Sequence, residues 1–146
     1  AVNGIADFAG LALAINLVGT DKVLRFSSGL LTTADTATAL TIIHGVGTAI
    51  VIHTQPSSSS SSGVPFVQQP SVSVRDAVGN TVTSSGYNTV AITASVAPSS
   101  GLGALAGSLT KSAIAGVADF AFFGLKWDIV GIDKKIRFTA ALGVSV

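Results

Sequence analysis

Residues 113–121 are Ala-Ile-Ala-Gly-Val-Ala-Asp-Phe-Ala, and residues 1–9 are Ala-Val-Asn-Gly-Ile-Ala-Asp-Phe-Ala. The segment 130–138 matches 18–26 in the same way, and both pairs share an offset of 112 residues. The first 34 residues have 14 identities at this offset, which include the Asp, Lys and Arg residues that are rare in this chain. The chain therefore contains an internal repeat, and a repeat is the first guide to architecture.

The length of the repeat predicts the domain organisation. A period of 112 residues is too long for a solenoid unit and is about the size of one β-sandwich domain. The tetrapeptide His44-Gly-Val-Gly47 interrupts the strand pattern with two glycines, so we expect a linker there. We predict that residues 1–45 are the closing strands of one repeat and that residues 46–146 are most of a second repeat.

The composition favours strands and excludes several classes of protein. The chain has no Cys or Met, and its seven acidic residues are all Asp. Without Cys there is no disulfide scaffold and no thiolate metal site. Abundant Val, Thr and Ser with no Glu favour strands over helices. A net charge of +1 gives no electrostatic reason to expect a nucleic-acid partner.

Short alternating segments separated by turn residues indicate an antiparallel β-sandwich. Residues 76–80, with Asp and Asn at the ends and a Gly inside, are predicted as a turn, and so is the pair Asp21-Lys22. The predicted strands are 4–11, 22–27, 38–44, 48–54, 71–75, 81–83, 89–95, 105–110 and 134–138.

Several motifs recur in an order that points to a known family. They are Ile50-Val-Ile-His-Thr-Gln-Pro56, Gly63-Val-Pro-Phe66, Gln69-Pro70, the segment 72–82 and Gly116-Val-Ala-Asp-Phe120. In this order they resemble the bacterial immunoglobulin-like tandem repeats of large surface and secreted proteins, of the adhesin or S-layer-associated type. The resemblance implies an all-β fold of immunoglobulin-like antiparallel β-sandwich repeats and an extracellular or cell-surface location.

The repeat also predicts that both sandwiches are incomplete at the chain ends. At the 112-residue offset, the counterpart of 38–42 falls at 150–154, beyond Val146. We expect the second sandwich to lack its last strand and to expose an unpaired edge and an apolar groove. Two interpretations remain: a window of a long tandem-repeat polypeptide, or a subunit that donates residues 1–45 to a neighbour. The candidate inter-subunit strand carries Thr38, Leu40, Ile42 and His44.

Few residues in the chain have the chemistry of a catalytic or metal site. His44 and His53 have no partners at a suitable spacing, and the aspartates are best explained by turns and surface pairing. Trp127 is predicted to be a core or inter-domain residue. The run 134–138 has the alternation of a half-buried strand rather than of a nucleic-acid-binding segment. We predict no enzymatic activity, no cofactor, no metal, no nucleic-acid partner and no membrane span.

Together these features predict a structural subunit or repeat module of an extracellular filament, stalk or surface layer. Assembly would use strand complementation or tandem repeats, so the expected partner is the protein itself. The alternative is an adhesin or carbohydrate-binding immunoglobulin-like module, in which loops 57–63 or 98–103 recognise cell-surface glycans.

Overall fold

A computed structural model describes residues 1–141 of the chain. The described part contains β-strands and a single 3-10 turn at Gly86–Thr89, with no α-helix, and every strand pair is antiparallel. The prediction of an all-β chain is therefore confirmed. The chain divides into two compact units, Ala1–Ile43 and the part that begins at His44.

The first unit is an irregular hairpin without a core. Its strands are β1 (Gly19–Lys22), β2 (Arg25–Phe26), β3 (Ala34–Asp35) and β4 (Leu40–Ile42). Strand β1 pairs with β4 and β2 pairs with β3, so the segment 34–42 runs antiparallel along 19–26. No residue between 1 and 43 is buried, although the segment is rich in Leu, Ile, Val and Phe.

In the second unit, residues 44–141 contain eight strands around a hydrophobic core. These are β5 (Gly47–Thr54), β6 (Ser71–Asp76), β7 (Ala91–Val96), β8 (Leu105–Ala106), β9 (Thr110–Ser112), β10 (Val117–Asp119), β11 (Lys126–Trp127) and β12 (Ile136–Ala140). One sheet has the order β10-β6-β5, a second has the order β12-β7-β9, and β8 pairs with β11. Both three-stranded sheets contribute to the same core, which includes Ile50, Val72, Val74, Ile92, Phe120, Leu125 and Phe138.

Strand patterns explain why these segments lie where they do. In β12, Phe138 and Ala140 are buried and Arg137, which precedes Phe138, is exposed, as the alternation of 134–138 predicts. Strand β6 is central in its sheet, and all four of its residues from Ser71 to Val74 are buried. Trp127 is also buried, so its prediction as a core residue is confirmed.

Three of the predicted strands are wrong, and the backbone pairing shows why. In segment 4–11, Ile5 forms only an isolated bridge with Val2, and no strand of the first unit pairs with residues 5–7 as β6 pairs with their counterparts in β10. Segment 105–110 is divided into β8 and β9 at Gly107, whose φ is 108°. Residues 81–83 form only an isolated bridge through Thr81.

Two predicted turns and linkers also differ from the structure. The predicted turn at Asp21-Lys22 lies inside β1, where Asp21 has a φ of 57° and the pairing with β4 shifts register. The tetrapeptide 44–47 is not a free linker. A ring nitrogen of His44 bonds to the Ser84 hydroxyl at 2.8 Å, and Gly47 is already part of β5. The division between the units accordingly falls after Ile43.

Asp76 fixes the start of the second unit. Its carboxylate accepts hydrogen bonds from the backbone N–H groups of Gly45, Val78 and Asn80 and from the side-chain amide of Asn80, at 2.8–3.1 Å. These bonds, the Asn80 amide first, lower the pKa of Asp76 from 3.8 to about 2. The predicted turn at 76–80 is confirmed, and it also holds the entry segment at Gly45.

Candidate assembly edge and groove

The repeat is visible in the backbone geometry of a tight turn. Val2 and Ile5 exchange two backbone hydrogen bonds of 2.8 and 3.0 Å, and so do Ile114 and Val117, 112 residues later. The two central residues of the first turn have φ values of 49° and 78°, and those of the second have 48° and 79°. Two successive positive φ values define the type I′ hairpin turn. The sequence repeat is therefore also a structural repeat.

A second corner repeats in the same way. Gly19 and Gly131 have φ values of 150° and 159°, and Asp21 and Asp133 have 57° and 55°. In the first unit this corner is strand β1, which pairs with Leu40–Ile42. In the second unit, residues 131–134 have no partner strand among the described residues.

Strand β12 lies at the edge of its sheet. The odd-numbered residues on the β12 side form the backbone hydrogen bonds to the β7 side. The Lys135 carbonyl accepts from Ala97 N–H, and Ala141 N–H donates to the Ala91 carbonyl. Backbone groups alternate in direction along an antiparallel strand. The N–H and C=O groups of the even-numbered residues therefore face away from β7, where no described strand pairs. We call this side of residues 136–140 the open edge.

In the first unit, the counterpart of the open edge is paired with another segment of the chain. Leu24 corresponds to Ile136 at the 112-residue offset, and the Leu24 carbonyl accepts a 2.9 Å hydrogen bond from Thr36 N–H. Phe26, the counterpart of Phe138, pairs with Ala34. The segment 34–42 thus occupies, in the first unit, the side of the strand that is open in the second.

A groove of about 840 Å³ lies beside residues 129–136. Its lining combines serines of the loop 57–62 with the apolar side chains of Ile52, Phe66, Trp127 and Phe138. The hydroxyl of Ser57 is buried there and has no hydrogen-bond partner among the described residues. Asp133, Lys134 and Lys135 also line the groove, so its lining mixes apolar side chains with polar and charged ones.

The single Trp of the chain is covered within this groove. Trp127 is only 8% exposed, and the Lys134 ammonium lies 5.1 Å from the centre of its ring. The same ammonium donates to the Leu102 carbonyl. A sugar-binding platform needs an accessible aromatic face, and in this structure a cation occupies that face.

One ion pair marks the hairpin of the first unit. Arg25 donates two hydrogen bonds of 2.8 Å to the carboxylate of Asp35, and these residues face each other across β2 and β3. The Arg25 hydrogen bond lowers the pKa of Asp35, and the Asp35 hydrogen bond raises the pKa of Arg25. The counterpart of Arg25 is Arg137, an exposed residue with no carboxylate partner in the described range 1–141.

The residues of the candidate inter-subunit strand do not all lie together. Leu40 and Ile42 are in β4, paired with Lys22 and Gly19, and Thr38 precedes this strand. His44 belongs to the second unit, where it contacts Ser84. The sequence predicted surface pairing of the aspartates with basic residues that include Arg25, but it did not identify Asp35 as the partner.

The described residues show little other chemistry. Within residues 1–141, no group of three or more His or Asp side chains is placed to hold a metal ion. His53 is exposed on β5, and Asp7 and Asp119 each accept a hydrogen bond from the backbone N–H two residues ahead. The described range also has no helix with the length and apolarity needed to cross a membrane.

Comparison with known proteins returned no relative. No protein-family model, no curated protein and no solved structure matches this chain. The resemblance to bacterial immunoglobulin-like repeats therefore rests on the sequence motifs within residues 50–82 and 116–120.

Proposed function

We propose that the chain is a structural subunit or repeat module of an extracellular filament, stalk or surface layer. One observation carries the proposal. Within the described residues, the second unit has a strand edge without a partner beside a groove that contains apolar side chains, and the first unit contains the segment that pairs with the counterpart of that edge. An unpaired edge next to such a groove favours addition of a strand.

Strand order supports an immunoglobulin-like β-sandwich in the second unit. Immunoglobulin sheets place the first, second and fifth strands in one layer and the third and sixth in the other, with the seventh strand outside the sixth. Here β5, β6 and β10 form one sheet, and β7 and β12 lie together in the other. In this assignment β12 is the sixth strand, and the open edge is the position of the seventh.

A load-bearing role is consistent with the way the second unit is built. Strands β5 and β6 pair along most of their lengths, and β12 and β7 pair over five consecutive positions. Backbone ladders of this kind resist extension because many hydrogen bonds must break together. A head-to-tail contact that does not close into a ring produces a filament.

The proposed partner is a further copy of the same protein, and the proposed location is the cell surface, as the resemblance implies. Glycan recognition by loops 57–63 or 98–103 is the competing function. The covered ring of Trp127 counts against it, because Lys134 would have to move before a sugar could stack there.

Electron microscopy and a denaturing gel test the proposal together. The purified 146-residue chain is concentrated, negatively stained and imaged, and the same sample is boiled in SDS. We expect filaments that dissociate to a band near 14.5 kDa if strands are donated between subunits. Monodisperse particles at every concentration, with binding in a glycan screen, would contradict the structural role and favour the adhesin.

A further inference from the structure

We propose that residues 34–42 of one copy of this chain pair with residues 131–138 of a second copy, along the open edge and into the groove. The proposal rests on the proposed function and specifies its contact. It defines a donor segment (34–42), an acceptor segment (131–138) and the register between them.

The register follows from the pairing within the first unit. There, Asp35 lies opposite Arg25 and Ala34 lies opposite Phe26. At the 112-residue offset, Arg25 and Phe26 correspond to Arg137 and Phe138. The same pairing between two copies therefore places Asp35 opposite Arg137 and Ala34 opposite Phe138.

The other end of the donor segment follows the same rule. Leu40 pairs with Lys22 and Ile42 pairs with Gly19, which places Leu40 opposite Lys134 and Ile42 opposite Gly131. Residues 131–134 line the groove, so both apolar side chains of the donor would lie beside it.

Charge complementarity supports this register independently. Arg137 projects from the exposed face of β12 without a carboxylate partner among the described residues. The donor segment carries one acidic residue, Asp35, at the position that faces it. In the first unit the same two residue types form a two-bond ion pair with both distances at 2.8 Å.

Burial favours exchange of the donor segment between copies. Within its own unit the segment belongs to two-stranded pairings and contains no buried residue, and a two-stranded ribbon is marginal in water. On the second copy it would extend a sheet that already has a core. Leu40 and Ile42 would then cover the apolar lining of the groove. Exchange of an identical element between protomers is a low-cost route to assembly.

Disulfide trapping tests the register, because the natural chain has no Cys. Residues 35 and 137 would face each other at a non-hydrogen-bonded position, where Cα atoms of antiparallel strands are about 4.5 Å apart, within reach of a disulfide. The full chain carrying both Asp35→Cys and Arg137→Cys is oxidised in a glutathione buffer. The matched control carries Asp35→Cys and Thr139→Cys, two residues out of register on the same face of β12.

We expect a ladder of covalent oligomers from the first variant on a non-reducing gel and loss of that ladder in the control. Mixing the Asp35→Cys and Arg137→Cys single variants should give a mixed dimer that each variant alone does not give. Cyclised monomers would place the donor on its own chain, and equal ladders in both double variants would deny the register. Either result overturns the proposal.

The outcome is separable from the test of function. Filaments that form without the disulfide ladder would show that residues 34–42 are not the donor segment, while the proposed structural role would stand. A ladder without filaments would support the strand pairing and contradict the filament.

Discussion

Phe8 and Phe26 pack with their ring centres 5.1 Å apart and their planes at 50°. At the repeat offset, Phe120 and Phe138 have a separation of 5.5 Å and an angle of 51°. Phe8 is 43% exposed, whereas Phe120 and Phe138 are completely buried. The same aromatic pair is therefore formed in both units, but only the second unit supplies a core around it.

This difference predicts that removing the Phe120 ring lowers the free energy of unfolding much more than removing the Phe8 ring. Replacing Phe120 with Ala should destabilise the second unit by about 3–5 kcal/mol, because a large cavity opens in its core. Urea unfolding followed by Trp fluorescence measures this directly, since Trp127 is the only Trp and is buried in the second unit. Phe8→Ala is the matched control and should change the free energy of unfolding by no more than about 0.5 kcal/mol. Equal losses would mean that the two pairs have similar environments.

The repeated type I′ turn predicts that replacing its glycine with alanine costs more stability in the second unit than in the first. A Cβ on Gly116 would lie 2.3 Å from the Val82 carbonyl oxygen, whereas a Cβ on Gly4 would meet nothing within 4 Å. Gly4 and Gly116 have φ values of 78° and 79°. We expect Gly116→Ala to cost more than about 2 kcal/mol through clash and backbone strain, and Gly4→Ala about 1 kcal/mol through strain alone. Thermal unfolding of each variant measures the cost, and a Gly116→Ala variant no less stable than Gly4→Ala would contradict the close approach of the Val82 carbonyl.

The sequence predicted the regular strands better than the turns. Residues 48–54 and 71–75 are strands because their alternating or β-branched side chains pack on the common core. Segment 4–11 is also rich in apolar residues, but no strand of the first unit pairs with it as β6 pairs with β10, and its large apolar side chains remain exposed. The turn at Asn3-Gly4 could have been predicted, because an Asn-Gly pair is a strong type I′ signal.

The open edge was predictable only in part. The repeat offset indicated that a strand pairs with one copy and not with the other. It did not show which side of β12 is free, because that depends on whether odd- or even-numbered residues bond to β7. Nor did it place the groove, which is built from distant segments such as loop 57–62 and residues 129–136.

The carboxylate of Asp76 predicts an acid sensitivity of the second unit. Its pKa is lowered from 3.8 to about 2, so the folded state favours the ionised form more than the unfolded state does. This stabilisation is complete above the unfolded-state pKa and is lost as the pH falls from about 4 through 2. Denaturant midpoints measured at about pH 7 and about pH 2.5 should fall more for the natural chain than for Asp76→Asn.

A matched control separates the contribution of the Asp76 carboxylate to acid sensitivity from the general effect of acid on the fold. Asp133→Asn removes one negative charge at an exposed position and therefore shows how much of any change follows from the loss of charge alone. The Asp76→Asn variant should also be less stable at neutral pH, because an amide cannot accept from Gly45, Val78 and Asn80 as a carboxylate does. A pH dependence unchanged in Asp76→Asn would remove Asp76 from this role.

Reversing the two charges of the proposed contact predicts a change of partner. The Asp35→Arg variant would place two guanidinium groups against each other, because its new donor side chain faces Arg137 of the next copy. The Arg137→Asp variant would instead place Asp35 against a carboxylate. Each variant alone should assemble several-fold more weakly than the natural chain, because an attraction becomes a repulsion. In a mixture, each donor segment meets an opposite charge on the other variant, so assembly should return as an alternating copolymer.

Sedimentation velocity of each variant and of the equimolar mixture measures this, at low salt and again at about 1 M, where screening should reduce the difference. Arg25→Gln is the control, because it breaks the ion pair inside the first unit without touching the acceptor. This substitution removes the ion pair that binds Asp35 within its own hairpin. Assembly of Arg25→Gln should therefore be as strong as that of the natural chain or stronger. A mixture that sediments as two separate monomers, or an Arg25→Gln variant that no longer assembles, would show that Asp35 acts within its own unit and not on Arg137 of a neighbour.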